Sequence, residues 1–248
     1  MKTKKKRYGL IGRNISYSFS PTYFNNKFKV LNLKNIKYKI FDLERISLFE
    51  NLLDTKKNLK GLNVTIPYKE EIIPYLDSLN KHAKIIGAVN TIKINKAGKT
   101  KGYNTDYIGF KKSLTPLLNN GHKKALILGT GGASKAVAYA LKQLKIEYDF
   151  VSRNPSEYEY SYNELNSEIF KEYQIIINTT PIGTFPEIDQ APPLDYTLFT
   201  PQHIAYDLVY NPAETKFLNL AKQGGAITKN GYEMLELQAE KAWKIWNE

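Results

Sequence analysis

Short apolar runs alternate along the chain with stretches whose apolar residues recur every three or four positions. Residues 7–12 read as a strand, and Ser20-Pro21 then supplies an N-cap residue with proline at the first helical position. Phe24, Phe28 and Leu31 follow at spacings of four and three, one face of a helix. Residues 38–43 read as the next strand, 46–54 as a helix and 60–65 as a strand broken by Pro67. The pattern continues with a helix over 68–76 around Pro74, a strand over 88–94 and a turn over 95–101 at Gly98. In the second half, Lys124-Ala125-Leu126-Ile127-Leu128 is an apolar run suited to a buried parallel strand, and a helix over 135–145 comes soon after it. Strands over 148–152, 174–178, 204–209 and 226–229 come next, with helical stretches between most of them. After Gly231 a last helix presents Leu235, Ala239, Ala242 and Trp246 as an apolar stripe. The pattern predicts an α/β chain whose second half is a doubly wound, nucleotide-binding sheet.

Composition narrows the chemistry. The 248 residues suffice for one large domain or two modest ones, each with its own core. Absence of cysteine excludes disulfides, thiolate chemistry and cysteine-ligated zinc. His82, His122 and His203 are widely scattered without metal-ligand spacing, so no metal site is expected. No apolar run approaches the roughly 18–20 residues of a membrane span. The basic start, residues 1–7, resembles a signal-peptide n-region, but Tyr8-Gly9-Leu10-Ile11 gives way at once to Gly12, Arg13 and Asn14. A cytoplasmic protein with a solvated basic tail is the expectation. The net charge of +12 raises nucleic-acid binding. The excess, however, is nearly all lysine spread along the chain, with only Arg7, Arg13, Arg45 and Arg153 as arginines and no reading motif. Attraction of an anionic substrate and a phosphorylated cofactor accounts equally well for such a field.

Gly129-Thr130-Gly131-Gly132-Ala133-Ser134 stands between a buried strand and a helix start, where a dinucleotide pyrophosphate meets backbone N–H groups and the positive end of a helix dipole. Ser134 takes the place of the third glycine, so the loop alone is a weak signal beside an ordinary glycine turn. Roughly 20 residues further on, where an NAD site carries a carboxylate, the strand ends in Ser152-Arg153-Asn154. Arginine grips phosphate with parallel N–H bonds, which favours NADP. In the first half, four clusters stand out: Ser16-Tyr17-Ser18-Phe19-Ser20-Pro21, Asn63-Val64-Thr65-Ile66-Pro67-Tyr68-Lys69, Gly87-Ala88-Val89-Asn90-Thr91 and Asn104-Thr105-Asp106. Each alone is bland. Together they place hydroxyl, amide, ammonium and carboxylate groups at strand ends and helix starts, an inventory suited to a small polyhydroxy carboxylate.

These clusters, in this order, closely resemble the shikimate dehydrogenase family, and the likeness continues through Asn178-Thr179-Thr180, Asp207-Leu208-Val209-Tyr210 and Gly231-Tyr232-Glu233-Met234-Leu235 to Gln238. The resemblance implies two domains: an α/β substrate-binding and catalytic domain over 1–105 plus 231–248, and a Rossmann-type doubly wound NADP domain over 106–230. It implies NADPH-dependent, reversible reduction of 3-dehydroshikimate to shikimate, in chorismate and aromatic amino acid biosynthesis. The residues that match are Lys69 and Asp106 as the catalytic pair, Ser18 and Ser20 for the substrate carboxylate, and Thr65, Asn90 and Gln238 with Asp106 for the ring oxygens, with Tyr210 nearby. On the cofactor side they are Gly129, Gly131, Gly132, Ala133, Ser152, Arg153, Asn154, Thr179, Leu208, Gly231 and Met234. Hydride addition to a ketone leaves charge on oxygen that a cationic lysine stabilises and a proton must quench. Either member of a hydrogen-bonded lysine–aspartate pair can give that proton, since the pair titrates as a unit. The expected partners are the small-molecule substrate and NADP, with no nucleic acid and no membrane, in a monomer or homodimer.

Three departures from the family pattern are visible. Glu157 falls where a second arginine often follows the cofactor tip, Tyr17 replaces a common histidine, and Thr179-Thr180 replaces an Ala-Thr pair. The nearest rival is a quinate/shikimate dehydrogenase with relaxed cofactor use, for which an acid at the tip of strand 148–152 would speak. A catalytically idle NADP-binding sensor is the rival of another class, disfavoured by the presence of both Lys69 and Asp106.

Overall fold

The computed structural model describes residues 6–16, 18–56 and 58–248, so the basic segment 1–5 and the departure at Tyr17 lie outside the described residues. The chain separates into two compact units, residues 1–105 with 239–248 and residues 106–238. On the last helix the first unit thus resumes at Ala239, eight residues beyond the expected 231.

In the first unit, β1 (Lys6–Gly12), α1 (Ser20–Val30), β2 (Ile36–Asp42), α2 (Leu48–Thr55) and β3 (Leu59–Val64) follow the apolar pattern closely. Two short elements, β4 (Ser78–Leu79) and α3 (Lys81–Ile86), precede the β5 (Thr91–Ile94) and β6 (Thr100–Tyr103) hairpin. They form one mixed sheet in the order β2-β1-β3-β5-β6-β4. Strands β2, β1 and β3 are parallel, and β5 runs antiparallel to both β3 and β6. Alternation along β1 sends Tyr8 and Leu10 into one core with Phe24, Phe28, Tyr38 and Trp246, and Ile11 into the other with Phe49, Leu62 and Val64. Gly61 has to be a glycine because any Cβ there would collide with the Trp246 indole, whose Nε1 donates to the Ile92 carbonyl at 3.0 Å.

Three expectations are corrected here. Residues 68–76 are turns with a single 3-10 turn at Ile73–Tyr75, since Pro74 and the preceding Pro67 deny that segment the regular helical ladder. Residues 88–90 are not strand, because a helix sits before them: Asn80 Oδ1 accepts the Ala83 N–H at 2.8 Å, and Gly87 ends the helix at φ 71°. The expected turn over 95–101 contains the hairpin, with Thr100 and Lys101 already in β6.

The second unit starts with α4 (Asp106–Leu114) and continues through β7 (Lys124–Leu128), α5 (Gly132–Leu144), β8 (Glu147–Ser152), β9 (Glu159–Ser161) and α6 (Ser167–Glu172). The chain then forms β10 (Ile175–Asn178), β11 (Ile204–Asp207), α7 (Lys216–Gln223) and β12 (Ile227–Lys229), and enters α8 (Tyr232–Asn247). The six strands are all parallel, in the order β12-β11-β10-β7-β8-β9. Winding proceeds one way from β7 to β9 and the other way from β10 to β12, so the switch point lies between β7 and β10. Ligands of doubly wound sheets bind at the carboxyl ends beside such a point. Leu126, Leu128, Ile176 and Ala205 are fully buried, which explains the uninterrupted apolar runs.

Candidate active site

Polar groups collect at the strand ends of the first sheet. The segment after β1 turns through Asn14, which is left-handed at φ 56°. It is held by Asp42 at the end of β2, whose Oδ1 accepts the Asn14 N–H at 2.9 Å and Oδ2 the Ile15 N–H at 3.3 Å. The Ile15 carbonyl then accepts the Ser18 N–H at 3.1 Å. Ser20, at the start of α1, is nearly buried and hydrogen-bonds the Tyr38 hydroxyl. Burial raises Tyr38 well above the usual phenol range, and the bond from Ser20 opposes that shift. Tyr38 itself donates to Asn63 Oδ1 at 2.8 Å.

Asn90 is the centre of the next cluster. Its Oδ1 accepts from the Thr105 N–H at 2.7 Å and from Thr91 Oγ1 at 3.0 Å, while its Nδ2 donates to Thr105 Oγ1 at 2.9 Å. Asn63 Nδ2 donates to the Asn90 carbonyl and to Thr91 Oγ1, both at 3.2 Å. Asn104 Nδ2 donates to the Ala88 carbonyl at 3.0 Å. Thr65 follows β3 directly, its N–H donating to the Ile11 carbonyl, and the Lys69 carbonyl accepts the Val89 N–H at 2.7 Å. Ser20, Asn63 and Asn90 are therefore placed by interlocking neutral bonds, and Lys69 contributes a half-buried cation in the same unit.

In the second unit Asp106 opens α4 and is buried, as are Gln238 and Met234 on α8. A Cβ on Gly109 would strike the Met234 carbonyl, so α4 and α8 approach closely at that glycine. Gln238 Nε2 donates to the Leu235 carbonyl at 3.0 Å, and Tyr210 is half-buried in the segment after β11.

The glycine loop follows β7 at the switch point. Gly129 adopts φ 98°, which favours glycine, and its N–H donates to the Val151 carbonyl. Gly131 caps α5 without a side chain, and a Cβ there would meet open space. The α5 N-terminus is thus left clear for an anionic group. Ser134 fits the third glycine position because its hydroxyl turns inward and donates to the Gly131 carbonyl at 2.6 Å. Gly132 and Ala133 form the first turn of α5.

At the tip of β8, Ser152 Oγ accepts the Asn154 N–H at 3.2 Å, and Arg153 and Asn154 are exposed. The Arg153 cation lies close enough to Tyr162 to lower its pKa, although burial dominates and pushes that phenol up overall. The acid of this strand, Asp149, is engaged by the Tyr173 hydroxyl three residues before the tip. Thr179 Oγ1 donates to the Leu128 carbonyl at 2.7 Å, so this departure from the family pattern adds a tie to the base of the glycine loop. Leu208 N–H donates to the Asn178 carbonyl, and Gly231 N–H to the Val209 carbonyl. A side chain at Gly231 would collide with the Leu208 carbonyl.

The residues picked out by motif thus lie at strand ends and helix starts in each unit, with Met234 and Gln238 within α8, Lys69 in the first unit and Asp106 as first residue of the second. Sequence reasoning did not single out Asp42 or assign a task to Asp207. Each is an acid ending a strand, and that position was the available signal. Among the described residues, no group of His, Cys, Asp and Glu could hold a metal ion, and no helix is long and apolar enough to cross a membrane.

A model of the shikimate dehydrogenase substrate binding domain matches residues 10–92. The chain is 40% identical over 257 aligned residues to the shikimate dehydrogenase (NADP(+)) of Carboxydothermus hydrogenoformans, covering 97% of this chain and 91% of that protein. The crystal structure of shikimate dehydrogenase from Aquifex aeolicus superposes with a TM-score of 0.86 at 38% identity, over 100% of this chain and 94% of that one. The Thermus thermophilus shikimate 5-dehydrogenase in complex with NADP(H) and shikimate gives 0.85 at 30% identity, over 97% and 93%.

Proposed function

The chain belongs to the shikimate dehydrogenase family, and from that premise we propose that it reduces 3-dehydroshikimate reversibly to shikimate with NADPH. It acts in the cytoplasm as a monomer or homodimer, the first unit with the end of α8 binding substrate and the second binding NADP(H). The observation that carries the reading is the β7–Gly129–α5 switch point beside a β8 tip that presents Arg153 and no carboxylate. Those residues fit a 2′-phosphorylated dinucleotide: Gly131 leaves the helix end open for the pyrophosphate, and Arg153 is exposed to pair with the 2′-phosphate. Gly129, Gly132, Ala133, Ser152, Asn154, Thr179, Leu208, Gly231 and Met234 complete the cofactor contacts.

The bound nicotinamide supplies a hydride, so one hydride and one proton add across the substrate C=O. Lys69 stabilises the charge that develops on the ketone oxygen, and with Asp106 it delivers the proton there. In the direction of oxidation the same two groups take the hydroxyl proton. Ser18 and Ser20 hold the substrate carboxylate, and Thr65, Asn90, Tyr210 and Gln238 orient the ring. Asn90 suits that task because its amide is already fixed by Thr91 and Thr105 before any ligand arrives. The test is an initial-rate assay with shikimate and NADP+, following the reduced nicotinamide without added metal. Turnover faster than with NAD+ is expected, and none with shikimate would overturn the reading.

A further inference from the structure

Asp207 ends β11 with no exposed surface, and no step of the proposed chemistry uses it. Three donors converge on its carboxylate: Asn178 Nδ2 and the Val209 N–H reach Oδ1, each at 3.0 Å, and Thr215 Oγ1 reaches Oδ2 at 2.6 Å. Burial pushes its pKa up to about 7 against the pull of these bonds. A buried carboxylate is costly, and an apolar side chain of similar size would often fill such a site at lower cost. What the carboxylate adds is direction.

An asparagine amide can sit either way round, and its neighbours decide which. Because Asp207 only accepts when ionised, the Asn178 NH2 must face it and Oδ1 must face the other way. That oxygen accepts from the Thr180 N–H at 3.0 Å and from Thr180 Oγ1 at 2.6 Å. Thr180 in turn lies against the dinucleotide loop, since a Cβ on Gly129 would come within 2.9 Å of Thr180 Cγ2. The preceding Thr179 ties to the Leu128 carbonyl at the base of that loop. On its other side Asp207 fixes the Val209 N–H, and the Val209 carbonyl accepts from Gly231 at 3.1 Å.

We propose that Asp207 is a positioning residue for NADP(H): through Asn178 and Val209 it sets the backbone of residues 179–180, 208–209 and 231 against the glycine loop. The proposal rests on the reading that this sheet binds NADP(H). It assigns Asp207 no contact with the cofactor.

The experiment compares wild type with Asp207→Ala, Asp207→Asn and Thr180→Val. NADPH dissociation constants are read by fluorescence, and melting midpoints without ligand. Asp207→Ala removes charge-assisted bonds and should raise the NADPH Kd about tenfold or more. Asp207→Asn should stay within about threefold, because its Oδ1 still accepts from Asn178 and Val209 while its Nδ2 donates to a Thr215 hydroxyl turned to accept. Thr180→Val deletes one neutral bond and should raise the Kd about two- to tenfold. A merely structural role would lower the melting midpoint of Asp207→Ala and leave its NADPH Kd within twofold of wild type, and that result overturns the proposal. Asp207→Asn as weak as Asp207→Ala overturns it too. Should Asp207→Ala fail to fold, Thr180→Val decides, an unchanged Kd again overturning it. A wild type that does not bind NADPH defeats both this proposal and the functional reading. One that binds NADPH but leaves shikimate untouched defeats the functional reading alone.

Discussion

Asn90 in the first unit and Asp207 in the second hold comparable places, each a buried polar side chain at a strand terminus that binds segments distant in sequence. Asn90 is held by neutral partners: the Thr105 backbone and hydroxyl, Thr91 and, one step away, Asn63 and Tyr38. Asp207 gathers its partners around a carboxyl group poised near neutrality. Around Asn90 the first sheet builds its scaffold from amides and hydroxyls. The second puts an ionisable carboxyl into the scaffold itself and leaves the N-terminus of α5 clear at Gly131. Changes at Lys69 and around Asn90 should therefore appear in turnover and substrate handling, and changes around Asp207 and the glycine loop in cofactor affinity and its pH dependence.

The largest expected effect tests the chemical side of this contrast. Lys69→Ala should lower kcat by about 10²–10⁴ while the NADPH Kd stays unchanged. Asp106→Asn should also lower kcat, and the double variant should lose less than the product of the two if the groups act as one unit. Near-normal kcat in folded, NADPH-binding Lys69→Ala would break the contrast. On the cofactor side, Arg153→Ala should raise KM for NADP+ by about 10- to 150-fold, the worth of a charge-assisted bond to phosphate, and leave NAD+ alone. Equal losses with both cofactors would mean that Arg153 does not read the 2′-phosphate.

A third test uses pH. Asp207 has a folded pKa of about 7 against an ordinary 3.8, so between these values the folded protein keeps a proton that the unfolded chain releases. This contribution to stability is complete below the unfolded value and is lost as pH rises through the folded one. Asp207→Asn carries no such proton. Relative to wild type it should gain about 2 kcal/mol between pH 5 and pH 7, measured by denaturant unfolding. Parallel pH profiles for the two proteins would show that the carboxyl titrates normally. Tyr196, whose phenol is pushed upward by burial and by Asp207, stays neutral across this window. The smallest effect belongs to Asn80→Ala, which removes the N-cap bond of α3 ahead of the Asn90 segment and should cost about 1 kcal/mol, with NADPH Kd unchanged.

Much of the second sheet was legible because buried parallel strands are continuous apolar runs, and Lys124–Leu128 begins and ends where the pattern places it. The first unit was harder. A strand of two residues (Ser78–Leu79) and a helix of six (Lys81–Ile86) are too short to show a period, and the β5–β6 hairpin reads as a turn because its second strand carries Lys101 and Gly102. The candidate site was legible as motifs, since hydroxyl, amide and charged residues cluster within a few positions at strand ends. Asp42 was not, because it acts from β2 on Asn14 and Ile15, 28 and 27 residues away.

By itself the sequence determined the alternation of elements, the glycine loop with its arginine tip, and the groups available for hydride and proton chemistry, all of which are local in the chain. Tertiary structure decided which polar groups meet. The parallel register of β10 and β11 sets Asn178 beside Asp207, 29 residues away, and burial there shifts the carboxyl toward neutrality. Neither the amide's orientation nor the acid's charge is a property of its own residue. Each is fixed by neighbours that only the folded sheet supplies, because hydrogen bonding and desolvation depend on distance in space and not on separation along the chain.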